Sequence, residues 1–188
     1  MSFFQKLLLF LGLPLYALDQ ATKWWIVLNL AEPVSFVPHL AVTDWFHIVR
    51  VHNQGVAFGL GNGTTWAPVV FLLVPVIAIT LIRAMWKKGV FAAKVAQVAV
   101  ALLLTGIAGN LTDRLLQGSQ LSHLKDAPFW ERLAAGYVVD FISVKLPLYD
   151  KLVPSSEGWW PSFNVADSCI CVAAGLLFLS GLQEPKKD

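Results

Sequence analysis

Residues 95–112 read VAQVAVALLLTGIAGNLT, eighteen consecutive positions without a charge, and Asp113 and Arg114 follow at once. A bilayer core takes about 20 mostly apolar residues as helix, so the stretch predicts a membrane span. Three others resemble it. Residues 66–82 are uncharged and carry Pro68 and Pro75, which can bend a helix. Residues 7–30 are charged only at Asp19 and Lys23, and residues 163–182 only at Asp167. The expected fold is membrane α-helical, with four transmembrane helices at about 7–30, 66–86, 94–113 and 163–183. Two extracytoplasmic loops, about 31–65 and 114–162, complete a single multi-pass domain over residues 1–188.

Composition agrees. The chain is 56% hydrophobic and 14% charged, against about 25% charged in soluble domains. Intrinsic disorder is excluded by the high hydrophobicity. A formal charge of +2 without a Lys/Arg run offers no surface for nucleic acid. Cys169 and Cys171, two apart on one helix, face different sides, so neither a disulfide framework nor a metal site is expected. Lys6 and Leu7–Leu18 have the n- and h-regions of a signal peptide. Trp24–Leu30 extends the apolar pattern and no A-x-A site follows, so the segment reads as a retained span.

Arg83, Lys87, Lys88 and Lys94 crowd the link between the second and third spans; Lys6, Lys186 and Lys187 fall on the same side. The positive-inside rule makes that side cytoplasmic, together with both termini. The long loops then lie outside. Residues 41–52 (AVTDWFHIVRVH) and 137–146 (YVVDFISVKL) alternate and read as strands of a small extracytoplasmic sheet. Residues 120–135 read as an extra amphipathic extracytoplasmic segment broken near Pro128, and Trp130, Trp159 and Trp160 suit the membrane interface. His39, His47, His52 and His123 lack ligand spacing and read as loop residues.

Ionisable residues at membrane depth are costly and point to function. Asp19, Lys23, Asp113, Arg114, Asp140 and Asp167, with Asn53, Asn110 and Asn164, all fall in the outer half of the bilayer or just beyond it on this topology. Each also has a plain reading. Asp19 and Lys23, four apart, suit an intrahelical ion pair. Asp113 and Arg114 suit a helix end, Asn164 and Asp167 a cap and its third helical residue, and Asp140 the polar face of a strand. The sharper reading pairs Asp140 with Asp167. Two adjoining carboxylates share a proton, one acts as base, and the pair can activate water against an amide. The chain holds no G-x-S-x-G and no H-E-x-x-H.

Five motifs in order resemble one family. They are L-D-Q-A-T-K with Asp19 and Lys23, H-N-Q-G-V-A-F-G with Asn53, Gly55, Ala57 and Phe58, and G-N-L-T-D-R with Gly109, Asn110, Asp113 and Arg114. V-V-D-F-I with Asp140 and F-N-V-A-D with Asn164 and Asp167 complete the set. Spread over nearly the whole chain, they resemble lipoprotein signal peptidase (signal peptidase II), a bacterial intramembrane aspartic protease family. The resemblance implies Asp140 and Asp167 as catalytic dyad. It also implies Asp19, Lys23, Asn53, Gly55, Ala57, Asn110, Asp113, Arg114 and Asn164 as substrate-binding or supporting residues. The fold implied is four helices with a small β-cradle, in the bacterial inner membrane with the active site at the outer leaflet. The implied substrate is a diacylglyceryl-modified prolipoprotein, cut just before its lipid-modified cysteine, with membrane lipids as surroundings. No metal or cofactor, a monomer, and sensitivity to globomycin-type inhibitors are implied as well.

Departures are few. Thr105 and Ile107 are bulkier than the family's usual residues before Gly109, and segments 115–137 and 147–161 are insertions beside the expected site. The rival readings are a proton-coupled transport component and a non-catalytic membrane scaffold. A transport pathway calls for a polar stripe crossing the bilayer, and none runs through the second or third span; a scaffold calls for loss of a dyad aspartate, and both are present.

Overall fold

The structure is a computed structural model that describes residues 1–34, 37–55 and 67–183. Helices occupy all four apolar stretches. The first starts as α1 (Phe3–Leu7), passes through a π turn at Leu8–Gly12 and continues as α2 (Leu13–Asn29). Ser2 opens it with a capping box: Ser2 Oγ accepts the Gln5 N–H at 3.2 Å, and Gln5 Oε1 accepts the Ser2 N–H at 2.7 Å. Strands β1 (His39–Thr43) and β2 (Phe46–Asn53) follow, then α3 (Ala67–Lys87), which contains Pro75, and α4 (Lys94–Leu116). Next come α5 (Phe129–Ala134), β3 (Val138–Val144), α6 (Tyr149–Leu152) and α7 (Val165–Gln183). Among the described residues, one helical segment, Lys94–Gln120, has the length and composition to cross a membrane, and Val165–Gly181 is a shorter apolar helix.

The chain divides into two compact units. The first comprises Met1–Gln20, Leu72–Leu111 and Val165–Asp188. One part of its core sets small residues against leucines: Ala99, Cys169 and Ala173 are buried with Leu102, and Leu11, Leu15 and Leu176 pack against them. Its outer face is apolar. Leu73, Val76, Ile77 and Leu81 of α3 are each at least 55% exposed, as is Phe178 of α7. Large apolar side chains exposed in this way suit hydrocarbon better than water.

The second unit comprises Ala21–Phe71 and Thr112–Asn164 and contains an antiparallel sheet of order β1-β2-β3. The single strand expected over 41–52 is a correction: Thr43 pairs with Phe46, so Asp44 and Trp45 form a two-residue turn and the segment is a hairpin. The Thr43 hydroxyl accepts the Trp45 N–H at 3.4 Å, the local bond by which Thr favours turns over strand. The histidines are also corrected. His39 lies in β1, and His47 and His52 lie in β2, where aromatic packing occupies them; His47 meets Trp159 at 4.3 Å between ring centroids. The amphipathic segment is helical only over α5, where Pro128 occupies the N-cap; 3₁₀ turns fill Gln117–Gln120 and Ser122–Leu124.

The two insertions fold back on this unit. The Ser122 N–H donates to Glu32 Oε2 at 3.2 Å, and Leu121 is buried. The second insertion leaves β3 and returns along its free edge. The Leu146 N–H bonds the Gly158 carbonyl, and the Trp160 N–H bonds the Val144 carbonyl, each at 2.8 Å. Lys145 bridges Trp159, and Ile142 bridges Phe163. An unpaired strand edge invites association; here the insertion covers it.

Candidate active site

In the second unit the site is organised around Asp140 on β3, 3% exposed. Asn53 Nδ2 donates to Asp140 Oδ2 at 2.9 Å, and Asn164 Nδ2 donates to Asp140 Oδ1 at 2.8 Å. Each carboxylate oxygen therefore has its own amide donor. The Asn53 amide is itself oriented, because its Oδ1 accepts the Gly55 N–H at 3.1 Å. Flipping that amide would set two donors, or two acceptors, face to face. Arg114 holds the same turn, with Nη2 donating to the Gly55 carbonyl at 2.8 Å.

A β-bulge makes the Asn53–Asp140 bond possible. Phe46, His47 and Ile48 of β2 oppose Val144, Ser143 and Ile142, whereas Val51, His52 and Asn53 oppose Asp140, Val139 and Val138. β2 has one more residue than β3 between these two sets. In regular register Asn53 would point away from the face that carries Asp140, since side chains alternate along a strand. The extra residue returns Asn53 to that face, diagonally across from Asp140.

Behind β3 lies an ion pair. Lys23 Nζ is 3.1 Å from Asp113 Oδ2, and both side chains are fully buried. The same Asp113 oxygen accepts the Val139 N–H at 3.0 Å, so the pair is fastened to the strand one residue before Asp140.

In the first unit Asp167 lies in the first turn of α7, and Asn110 Nδ2 of α4 donates to its Oδ1 at 2.8 Å. Asp19 Oδ1 accepts the Ala166 N–H at 2.8 Å, so a carboxylate from α2 caps the start of α7. Gln20 Nε2 bridges Asp19 Oδ2, at 3.1 Å, and the Gly109 carbonyl, at 3.2 Å. The helices approach closely because α4 has no side chain at Gly106 and Gly109. A Cβ on Gly109 would lie 2.6 Å from Asp19 Oδ2, and one on Gly106 would lie 2.5 Å from the Ala166 carbonyl oxygen. Thr105, one of the bulkier departures, faces Gly12 of the π turn, where an added Cβ would lie 2.9 Å from its hydroxyl.

The sequence-predicted residues thus fall into two groups. Asn53, Gly55, Asp140 and Asn164, with Lys23, Asp113 and Arg114, are in the second unit; Asp19, Asn110 and Asp167 are in the first. Ala57 and Phe58 lie outside the described residues. The profile of the family described as Signal peptidase (SPase) II matches residues 11–183. The chain belongs to the signal peptidase II family.

Its relatives are similar over nearly their whole length. The lipoprotein signal peptidase of Pseudoalteromonas atlantica is 32% identical over 172 residues, 91% of this chain and 86% of that protein. That of Syntrophotalea carbinolica is 32% identical over 177 residues, covering 93% and 90%. A bacterial membrane enzyme solved by the in meso method superposes with a TM-score of 0.69 at 23% identity, over 96% of this chain and 93% of that one. A second such structure gives 0.66 at 22% identity. As a family member, the chain is a protease of lipoprotein maturation. Its helical build, small antiparallel sheet and outward apolar surface fit a bacterial membrane enzyme.

Several supporting residues escaped the sequence reading. Gln20, inside the first motif, has no sequence signal of its own beside Asp19. Arg50, 4% exposed, closes the C-terminus of α2: its Nη1 donates to the carbonyls of Leu30 at 2.7 Å and Val27 at 3.1 Å. Its sequence signal is a cation flanked by Ile48, Val49 and Val51 in the middle of the strand. Arg50 Nε also donates to His52 Nε2 at 3.1 Å, and His52 stacks on the buried Tyr137 at 3.7 Å between centroids. Burial, and then the Arg50 charge, push the His52 pKa down to about 4. Burial likewise raises the Tyr137 hydroxyl.

Proposed function

We propose that this signal peptidase II family member cuts diacylglyceryl-modified prolipoproteins just before the lipid-modified cysteine, with Asp140 and Asp167 as the catalytic pair. One observation carries the reading: asparagine amides hold both carboxylates, Asn53 and Asn164 on Asp140 and Asn110 on Asp167. Fixed donors set the direction of each carboxylate before substrate arrives, which is how a site lowers the cost of orientation.

In the proposed reaction one carboxylate takes a proton from water while the oxygen bonds to the scissile carbonyl carbon. The other, protonated, donates to the carbonyl oxygen, giving a neutral tetrahedral diol. Collapse of the diol re-forms the carbonyl and breaks the C–N bond as the cysteine nitrogen is protonated. The signal peptide leaves with a new carboxylate, and the lipoprotein keeps a free amine on its lipidated cysteine. Two carboxylates able to exchange one proton suffice for every transfer.

The four apolar helices are read as four spans, with both termini cytoplasmic and the site at the outer leaflet. Arg83, Lys87, Lys88 and Lys94 support that orientation. The chain acts as a monomer and is blocked by globomycin-type inhibitors. Purified protein in lipid nanodiscs should release the signal peptide from a diacylglyceryl prolipoprotein, read as a gel shift. Asp140→Asn and Asp167→Asn, checked as monodisperse, should each lose at least about 10³-fold in rate. Cleavage that survives loss of either carboxylate would sink the dyad. A wild type inactive on several lipidated substrates would sink the assignment of substrate.

A further inference from the structure

We propose that a groove in the first unit, formed by α1, the C-terminal half of α3 and the N-terminal half of α4, binds an anionic glycerophospholipid of the surrounding bilayer. The groove encloses about 580 Å³, within the range of ligand sites. Its lining is mostly apolar, with Phe4, Ile79, Trp86 and Leu104 among the residues that would receive an acyl chain. Arg83 and Lys87 also line it and are exposed.

Charge selects the occupant. Arg83 and Lys87 are four apart on one helix face, where like charges repel. No Asp or Glu occurs in residues 1–18 or 72–111, and among the described residues neither cation has an acidic partner. Lys88 and Lys94 add to the same excess; Lys94 Nζ lies 5.8 Å from the centre of the Phe3 ring on α1. A lipid phosphodiester beside Arg83 and Lys87 with its chain in the groove satisfies both halves of the surface. Basic pockets between membrane helices bind lipid phosphates in this manner. A neutral or zwitterionic lipid would fill the groove and leave the repulsion in place.

The groove is distinct from the candidate active site. On α4, Asn110 lies six residues beyond Leu104, about 9 Å along the helix axis.

Trp86 in the lining supplies the readout. Full-length protein in nanodiscs is titrated with phosphatidylglycerol brominated on its acyl chains, and separately with brominated phosphatidylcholine. Trp86 quenching is taken as the difference from Trp86→Phe. The anionic lipid should quench at least about tenfold more effectively, each cation contributing about fivefold, and the Arg83→Gln/Lys87→Gln variant should quench both lipids alike. Equal quenching in the wild type would overturn the proposal, as would a preference that survives the double substitution. Quenching that disappears as protein density in the disc rises, with cross-linking at this face, would assign the groove to a second copy. Prolipoprotein cleavage is read in the same discs. The double variant should retain it, so failure of the lipid site and failure of the peptidase assignment are separately visible.

Discussion

Removing one partner of the Lys23–Asp113 pair should damage the protein more than removing both. The two groups are 3.1 Å apart and fully buried. Lys23→Met leaves a buried carboxylate without its cation, a change that costs about 3–5 kcal/mol. Asp113→Leu takes the carboxylate away from the buried ammonium and also deprives the Val139 N–H of its acceptor, which costs about 1–3 kcal/mol more. The double variant contains neither charge, so its deficit is reduced to roughly the Val139 term, about 1–3 kcal/mol. The assay is unfolding of detergent-solubilised protein, with Lys125→Met as an exposed control and the four stabilities closed into a double-mutant cycle. A double variant less stable than both singles would refute the reasoning. So would singles no worse than the control. The double variant should still cleave slowly, because Val139 precedes Asp140 and the strand loses an anchor there.

Gly109→Ala should destabilise by about 1–3 kcal/mol through overpacking, since its Cβ would lie 2.6 Å from Asp19 Oδ2 and 3.0 Å from the Ala166 Cβ; a thermal melt unchanged from wild type would contradict the close approach. His52 gives a pH dependence of known sign. Its pKa is about 4 in the folded protein against 6.5 as its ordinary value, so the unfolded chain binds the extra proton between these values. Its contribution is then fully present above about pH 6.5 and lost as pH falls toward 4, about 1–3 kcal/mol in all; melts of His52→Phe across that range should lack this component. Arg114→Met should lower kcat by about tenfold or more, with stability changing less, because the turn that orients Asn53 on Asp140 loses its clamp; unchanged turnover would remove Arg114 from the positioning chain.

The elements that sequence predicts best here are those whose cause is local. Apolar length marks all four helices to within a few residues at most ends, and alternation marks β3. The π turn at Leu8–Gly12 has no such signature, and its Gly12 lies against Thr105 of another helix. The hairpin at Asp44–Trp45 lay hidden inside a run that alternates on both sides of the turn. The two insertions carry no sequence signal of where they dock. Their backbone bonds to β3 and their tie to Glu32 depend on partners distant in sequence.

Sequence by itself determined that the chain is helical and apolar in four places, which family it belongs to, and which carboxylates and asparagines to watch. These follow from composition, hydropathic length and ordered short motifs, all properties of the chain read in one dimension. Tertiary structure decided how those residues are paired: Lys23 with Asp113, Asp19 with the start of α7, and Asn53 with Asp140. The last depends on one extra residue in β2 relative to β3. Strand side chains alternate with period two, so a single-residue bulge decides which face Asn53 occupies. A bulge is a relation between two strands, and neither strand's sequence contains it.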